Sequence, residues 1–153
     1  MSNVSITQPP NKFRDLVDAP GGLTQQEAMS RARASLESMR GSSLQAVGEK
    51  VEALFALAAV KAPSDPECQG TLYRLASEIF AEGGLFGRDD CSAAAKSLCD
   101  LLSQSDLDLT ARWPSIQVHA AAIKALNKPA DAAGKAVRAQ MLRGLNAVVA
   151  VKS

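Results

Sequence analysis

Apolar residues recur every three to four positions through most of this chain, and glycines and prolines cut the pattern into helix-sized pieces. Leu44, Val47, Val51, Leu54, Leu57 and Ala58 repeat in this way, as do Leu72, Leu75, Ala76 and Ile79. That period places each set on one stripe of a helix rather than on one face of a strand. Ala and Leu dominate, β-branched runs are absent and aromatics make up only 4%, a mix that favours helix. The expectation is an all-α protein: a helical bundle with a four-helix core and about two additional helices.

The punctuation predicts six helices. Residues 1–22 read as a flexible tail ending in Pro20-Gly21-Gly22, and 23–153 as one bundle domain. Thr24-Gln25-Gln26-Glu27 is a capping box that opens the first helix, with Ala28, Ala32, Ser35, Leu36 and Met39 on one face and Gly41 as its stop. Ser42 or Ser43 caps a second helix running to about Lys61. Pro63 to Pro66 breaks it, and Ser64 with Glu67 forms a second capping box. The third helix runs to about Glu82 and ends in Gly83-Gly84-Leu85-Phe86-Gly87. Asp89 caps a fourth, with Cys91, Ala94, Ala95, Leu98 and Leu102 inward. After a polar connection over residues 103–110, Pro114 suits the first turn of a fifth helix that ends near Asn127. A sixth runs from about Ala132 to Val149, with Val137, Met141, Leu145 and Val148 inward.

Charge and cysteine usage narrow the function. A net charge of +1 leaves no electrostatic footprint for nucleic acid or an anionic membrane. The opening residues lack the apolar core of a secretory signal, and the longest apolar run, Leu54 to Val60, is too short to span a bilayer. Cys68, Cys91 and Cys99 form an odd set without a C-x-x-C pair. They are expected to be buried reduced thiols in a cytoplasmic protein, and with one histidine they do not make a zinc site. No metal or cofactor is expected. The glycines at 83, 84 and 87 are not a phosphate loop, having no following Lys-Ser/Thr and no preceding strand.

The third helix carries the functional signal. At about 100° per residue, Leu72, Leu75, Ala76, Ile79 and Gly83 share the core stripe, while Tyr73, Ser77, Phe80 and Ala81 fall outside it, bordered by Arg74 and Glu78. Two aromatics beside small residues form a docking surface if they are exposed, or a packing surface if the fifth or sixth helix covers them. Trp113-Pro114 reads as a staple at the fifth helix. Lys124, Lys128, Lys135, Arg138 and Arg143 read as a solvated face.

Ala76 to Gly87, followed by Ser97-Leu98-Cys99, resembles the helical hairpin of bacterial histidine-phosphotransfer (Hpt) domains, whose pattern is A-H-[DE]-I-K-G-Q-G-G-T-F-G followed by a helix with a small-small-Leu-Cys run. Ala76, Glu78, Ile79, Gly83, Gly84, Phe86 and Gly87 match it, and a weaker similarity covers most of the chain from Gly21 onward. The departures fall at the reactive positions. The phosphorylated histidine of the family corresponds to Ser77, its lysine three residues on to Phe80, and its glycine four residues on to Ala81. The resemblance implies a cytoplasmic signalling protein of a two-component phosphorelay. The substitutions imply one that is not an enzyme and cannot be phosphorylated: a serine without a base is a poor nucleophile, and the cation that offsets phosphate charge is gone. The implied partner is a response-regulator receiver domain or a histidine kinase. Tyr73, Ser77, Phe80, Ala81 and Gly84 would lie near the centre of contact, and Arg74 and Glu78 at its rim. Two alternatives stand beside this one: phosphotransfer relocated to His119, the single histidine, which otherwise reads as structural; or a helical scaffold outside the phosphorelay that pairs with another helix or self-associates as a homodimer.

Overall fold

A computed structural model describes residues 24–60, 66–104, 108–129 and 134–150. The expected tail (1–22) and the Ser64 half of the second capping box lie outside these residues. Among the described residues there are five helices and no strand: α1 (Gln25–Ala59), α2 (Pro66–Leu85), α3 (Asp89–Leu102), α4 (Leu109–Leu126) and α5 (Gly134–Ala150). The protein is an all-α helical bundle.

The first two predicted helices are one. Gly41 does not end α1, because a glycine stops a helix by taking a left-handed φ, and Gly87 is the one glycine with positive φ among the described residues. In a helix interior Gly costs only about 1 kcal/mol relative to Ala. Ser42, expected as a cap, turns its hydroxyl back to donate to the Met39 carbonyl at 3.0 Å, a bond made within a continuing helix.

The chain divides into two compact units, Met1–Ser38 and Met39–Ser153. In the first, the capping box forms as read. The Thr24 amide donates to Glu27 Oε2 at 2.8 Å and the Glu27 amide donates to Thr24 Oγ1 at 3.2 Å. The described part of this unit is a single helix, and Ala28, Ala32, Ser35 and Leu36 are exposed on it.

The second unit holds the core. Val47, Val51, Leu54 and Ala58 of α1 and Leu72, Leu75, Ala76 and Ile79 of α2 are buried in one hydrophobic cluster. The inner face of α3 (Cys91, Ala94, Ala95, Leu98, Leu101, Leu102) and that of α4 (Trp113, Ile116, Ala120, Ile123, Leu126) complete it. Helix α3 is central, packing against α2, α4 and α5. Helix α5 contributes Leu145 to the core, with Met141 and Leu142 partly buried against it. Val137, expected to face inward, is exposed.

Two helix starts differ from expectation by position. Asp89 is the first residue of α3 rather than its cap, which is Arg88 with no side-chain bond; Asp89 and Asp90 sit in the first turn, where carboxylates suit the positive end of the helix dipole. Helix α4 begins at Leu109, five residues before Pro114, because Asp108 caps it by accepting from the amides of Thr110 (2.9 Å) and Ala111 (3.3 Å).

Several helix ends are closed by side chains from other helices. Trp113 Nε1 donates to the Val60 carbonyl at 2.8 Å and Gln117 Nε2 to that of Ala58 at 3.0 Å, so α4 satisfies the end of α1. Gln69 of α2 donates to Leu102 at the end of α3 (2.9 Å). Arg138 of α5 donates to the Leu126 and Lys128 carbonyls at the end of α4 (3.0 and 2.7 Å). These carbonyls have no intrahelical partner, and the bonds fix how far each helix slides along its neighbour.

The α2–α3 turn closes differently. The Arg88 amide donates to the Gly83 carbonyl at 2.9 Å, across Gly87 at φ +75°. This is the left-handed closure that a Cβ disfavours by about 1–2 kcal/mol. Gly87→Ala is expected to lower the free energy of urea unfolding by about that amount and leave the folded spectrum intact. An unchanged midpoint would show that the turn relaxes.

Candidate functional site

The α2 core stripe is as the period predicts: Leu72, Leu75, Ala76, Ile79 and Gly83 are buried. Tyr73, Arg74, Phe80, Ala81 and Gly84 are exposed, and Ser77 and Glu78 half-buried. Among the described residues no other helix covers the aromatics: Tyr73 is 44% and Phe80 43% exposed. Their spacing of two helical turns sets them about 10 Å apart along the axis, with Ser77 between them and Gly84 one turn beyond Phe80. All seven predicted residues therefore share one outward side of a single helix.

The backbone beneath this face is held from α3. Ser92 Oγ donates to the Phe80 carbonyl at 2.7 Å. A Cβ on Gly84 would lie 3.4 Å from the same hydroxyl, so the two helices are close at this point. The face is thus a fixed surface on a packed hairpin.

Its charges are internally paired. Arg74 Nη1 reaches Glu78 Oε1 at 2.9 Å, Glu78 Oε2 lies 3.2 Å from Lys50 Nζ, and Lys50 also bonds Glu82. The Arg74 hydrogen bond, then that of Lys50, holds the Glu78 carboxyl below its ordinary range; the bond to Glu82 raises Lys50. Two cations meet two carboxylates, leaving the rim neutral around an aromatic centre. Lys50 comes from α1, and no spacing in the sequence ties it to residues 78 and 82.

Ser77 has no base. Among the described residues no carboxylate or imidazole is hydrogen-bonded to it, and His119 lies on α4 with no exposed surface. The Ser115 carbonyl, 2.8 Å from His119 Nδ1, can only accept, so Nδ1 carries the proton and Nε2 accepts from Ser97 Oγ at 3.1 Å. The ring is neutral, fully buried and bonded through both nitrogens, joining α4 to α3. This geometry counts against the alternative of a relocated phosphoacceptor, since neither ring nitrogen is exposed.

Burial also lowers the pKa of His119, the Ser115 bond opposing it. A histidine depressed in the folded state adds stability that is full above the unfolded value, 6.5, and is lost as pH falls through the folded one. Urea midpoints are expected to drop between about pH 7.5 and pH 5.5, and His119→Gln to remove most of that drop. An equal slope in both proteins would place the titration elsewhere.

No disulfide joins the cysteines; Cys68 and Cys91 are buried and Cys99 is half-buried. Burial pushes the Cys91 thiol up to about 11 and raises Cys99, so both are protonated and unreactive at neutral pH. Trp113 packs in the core. Among the described residues no cluster of His, Cys, Asp and Glu could hold a metal ion, and no helix is long and apolar enough to cross a membrane. No family model, curated protein or solved structure matches the chain.

Proposed function

We propose that this protein is a non-phosphorylatable relative of Hpt domains, acting in the cytoplasm in a bacterial two-component pathway, where it binds a receiver domain or a histidine kinase and regulates it by occupancy. The observation that carries this reading is the exposed pair Tyr73 and Phe80 flanking Ser77, where the resemblance puts the reactive histidine at Ser77 and its lysine at Phe80. A phosphotransfer site needs an accessible imidazole and a nearby cation; here the outward stripe offers a hydroxyl and two aromatic rings, and the nearest cations are bound to Glu78 and Glu82. Such a face is suited to dry contact rather than to a phosphoryl group. Aromatics at the centre of an interface, ringed by paired charges, supply most of the affinity in many complexes.

The test is a titration of the purified chain against receiver domains and kinase cores from its own organism, with a phosphorylated receiver included to look for transfer. The expected result is saturable binding without label on the protein. Label that appears on Ser77 would overturn the non-enzymatic reading.

A further inference from the structure

Resting on the docking reading above, we infer that Glu78 and Glu82 restrict the α2 face to a receiver domain whose aspartate is unphosphorylated. Ser77 marks the centre of the face, and a phosphoryl group presented there brings up to two negative charges. Helical spacing puts Arg74 one turn before Ser77, and it is the single cation of α2. Its Nη1 is taken by Glu78 Oε1 at 2.9 Å. Lys50 enters from α1 between Glu78 Oε2, at 3.2 Å, and Glu82. The four groups form one chain of alternating sign, Arg74–Glu78–Lys50–Glu82, with no net charge. Glu78 is its link, holding one cation on each carboxylate oxygen.

That chain makes the face indifferent to charge at best and hostile to a phosphoryl group once water is excluded. A phosphoryl oxygen reaching Ser77 has to draw Arg74 off Glu78, and it then faces the bared carboxylate. Phe80, where the resemblance has a lysine, offers no donor in place of that cation. The added charge loses hydration and gains no partner, which costs free energy. The side chains of Lys50, Glu78 and Glu82 are only 25%, 34% and 33% exposed, so solvent screens them in part. A partner surface without the phosphoryl group covers the two rings and leaves every ion pair in place. The carboxylates thus act as the discriminating groups, and the aromatics as the anchors.

The experiment is a calorimetric titration of the full chain with each receiver domain of its own organism, with and without beryllofluoride as the phosphoryl mimic. The parent protein is expected to favour the beryllofluoride-free form about tenfold or more. Glu78→Gln should move that ratio toward the beryllofluoride form by about threefold or more, and Lys50→Gln about as far the other way. Comparing ratios between variants cancels any change in the receiver's own shape. Asp100→Asn makes the same charge change as Glu78→Gln, at an exposed pair with Lys96 (2.8 Å) on α3, and should leave the ratio unchanged. Circular dichroism of each variant should match the parent; Glu82→Gln replaces Glu78→Gln if the latter loses helix. Three results overturn the inference while leaving docking intact: equal or tighter binding of the beryllofluoride form by the parent, a ratio that neither charge variant moves, or one that Asp100→Asn moves as far. Absence of binding to every receiver also overturns it, and the docking reading falls with it only where kinase cores fail to bind as well.

Discussion

Phe80→Asp will weaken partner binding by about 30-fold or more while leaving the helical content and the unfolding midpoint close to those of the parent protein. An aromatic anchor removed from the centre of an interface costs about 2 kcal/mol or more, and each 1.4 kcal/mol is tenfold in affinity. The aspartate adds the desolvation of a charge that has no cation to meet, because Lys50 and Arg74 are already bound to Glu82 and Glu78. Stability changes little because the Phe80 side chain is 43% exposed and its backbone carbonyl keeps the Ser92 bond. Binding measured by calorimetry, beside circular dichroism of the same sample, decides it. Parallel loss of fold and affinity would make Phe80 a core residue and remove the α2 face from consideration.

Ile79→Ala should do the opposite. Ile79 is the preceding residue on α2 but fully buried in the core. Truncating a buried isoleucine to alanine costs about 2–5 kcal/mol, from lost transfer energy and the cavity left behind. That is a large part of the stability of a small domain. The expected result is a much lower urea midpoint with partner affinity retained at temperatures where the protein remains folded. A cost below about 1 kcal/mol would mean that the core collapses around the site or that α2 does not pack as described. Adjacent residues with opposite phenotypes give the separation of core stripe from docking face a direct mutational form.

That separation was readable from the spacing of residues 72–83 alone, as were the α2–α3 turn at Gly87 and the inner face of α3. Each depends on local geometry: a helical period and a glycine with positive φ. Exposure of Tyr73 and Phe80 was not readable, since it depends on where α4 and α5 come to lie. Gly41 misled because a glycine can end a helix but does not have to, and the Ser42 hydroxyl bonds backward to Met39. Pro114 misled because it fits a first turn, while Asp108 caps earlier. The non-local bonds were invisible for a plainer reason. Lys50 reaches Glu78 and Glu82, Trp113 reaches Val60, and Ser97 reaches His119 across separations no sequence window relates.

The most direct test of the central claim is the affinity of the full chain for each receiver domain and kinase core of its own organism, with and without a phosphate mimic, for the parent protein and Phe80→Asp side by side. Saturable binding to one partner is expected, lost in the variant and only weakly dependent on salt, because the contact face is aromatic and its rim charges are paired. Absence of binding to every partner, or binding that Phe80→Asp leaves intact, would contradict it.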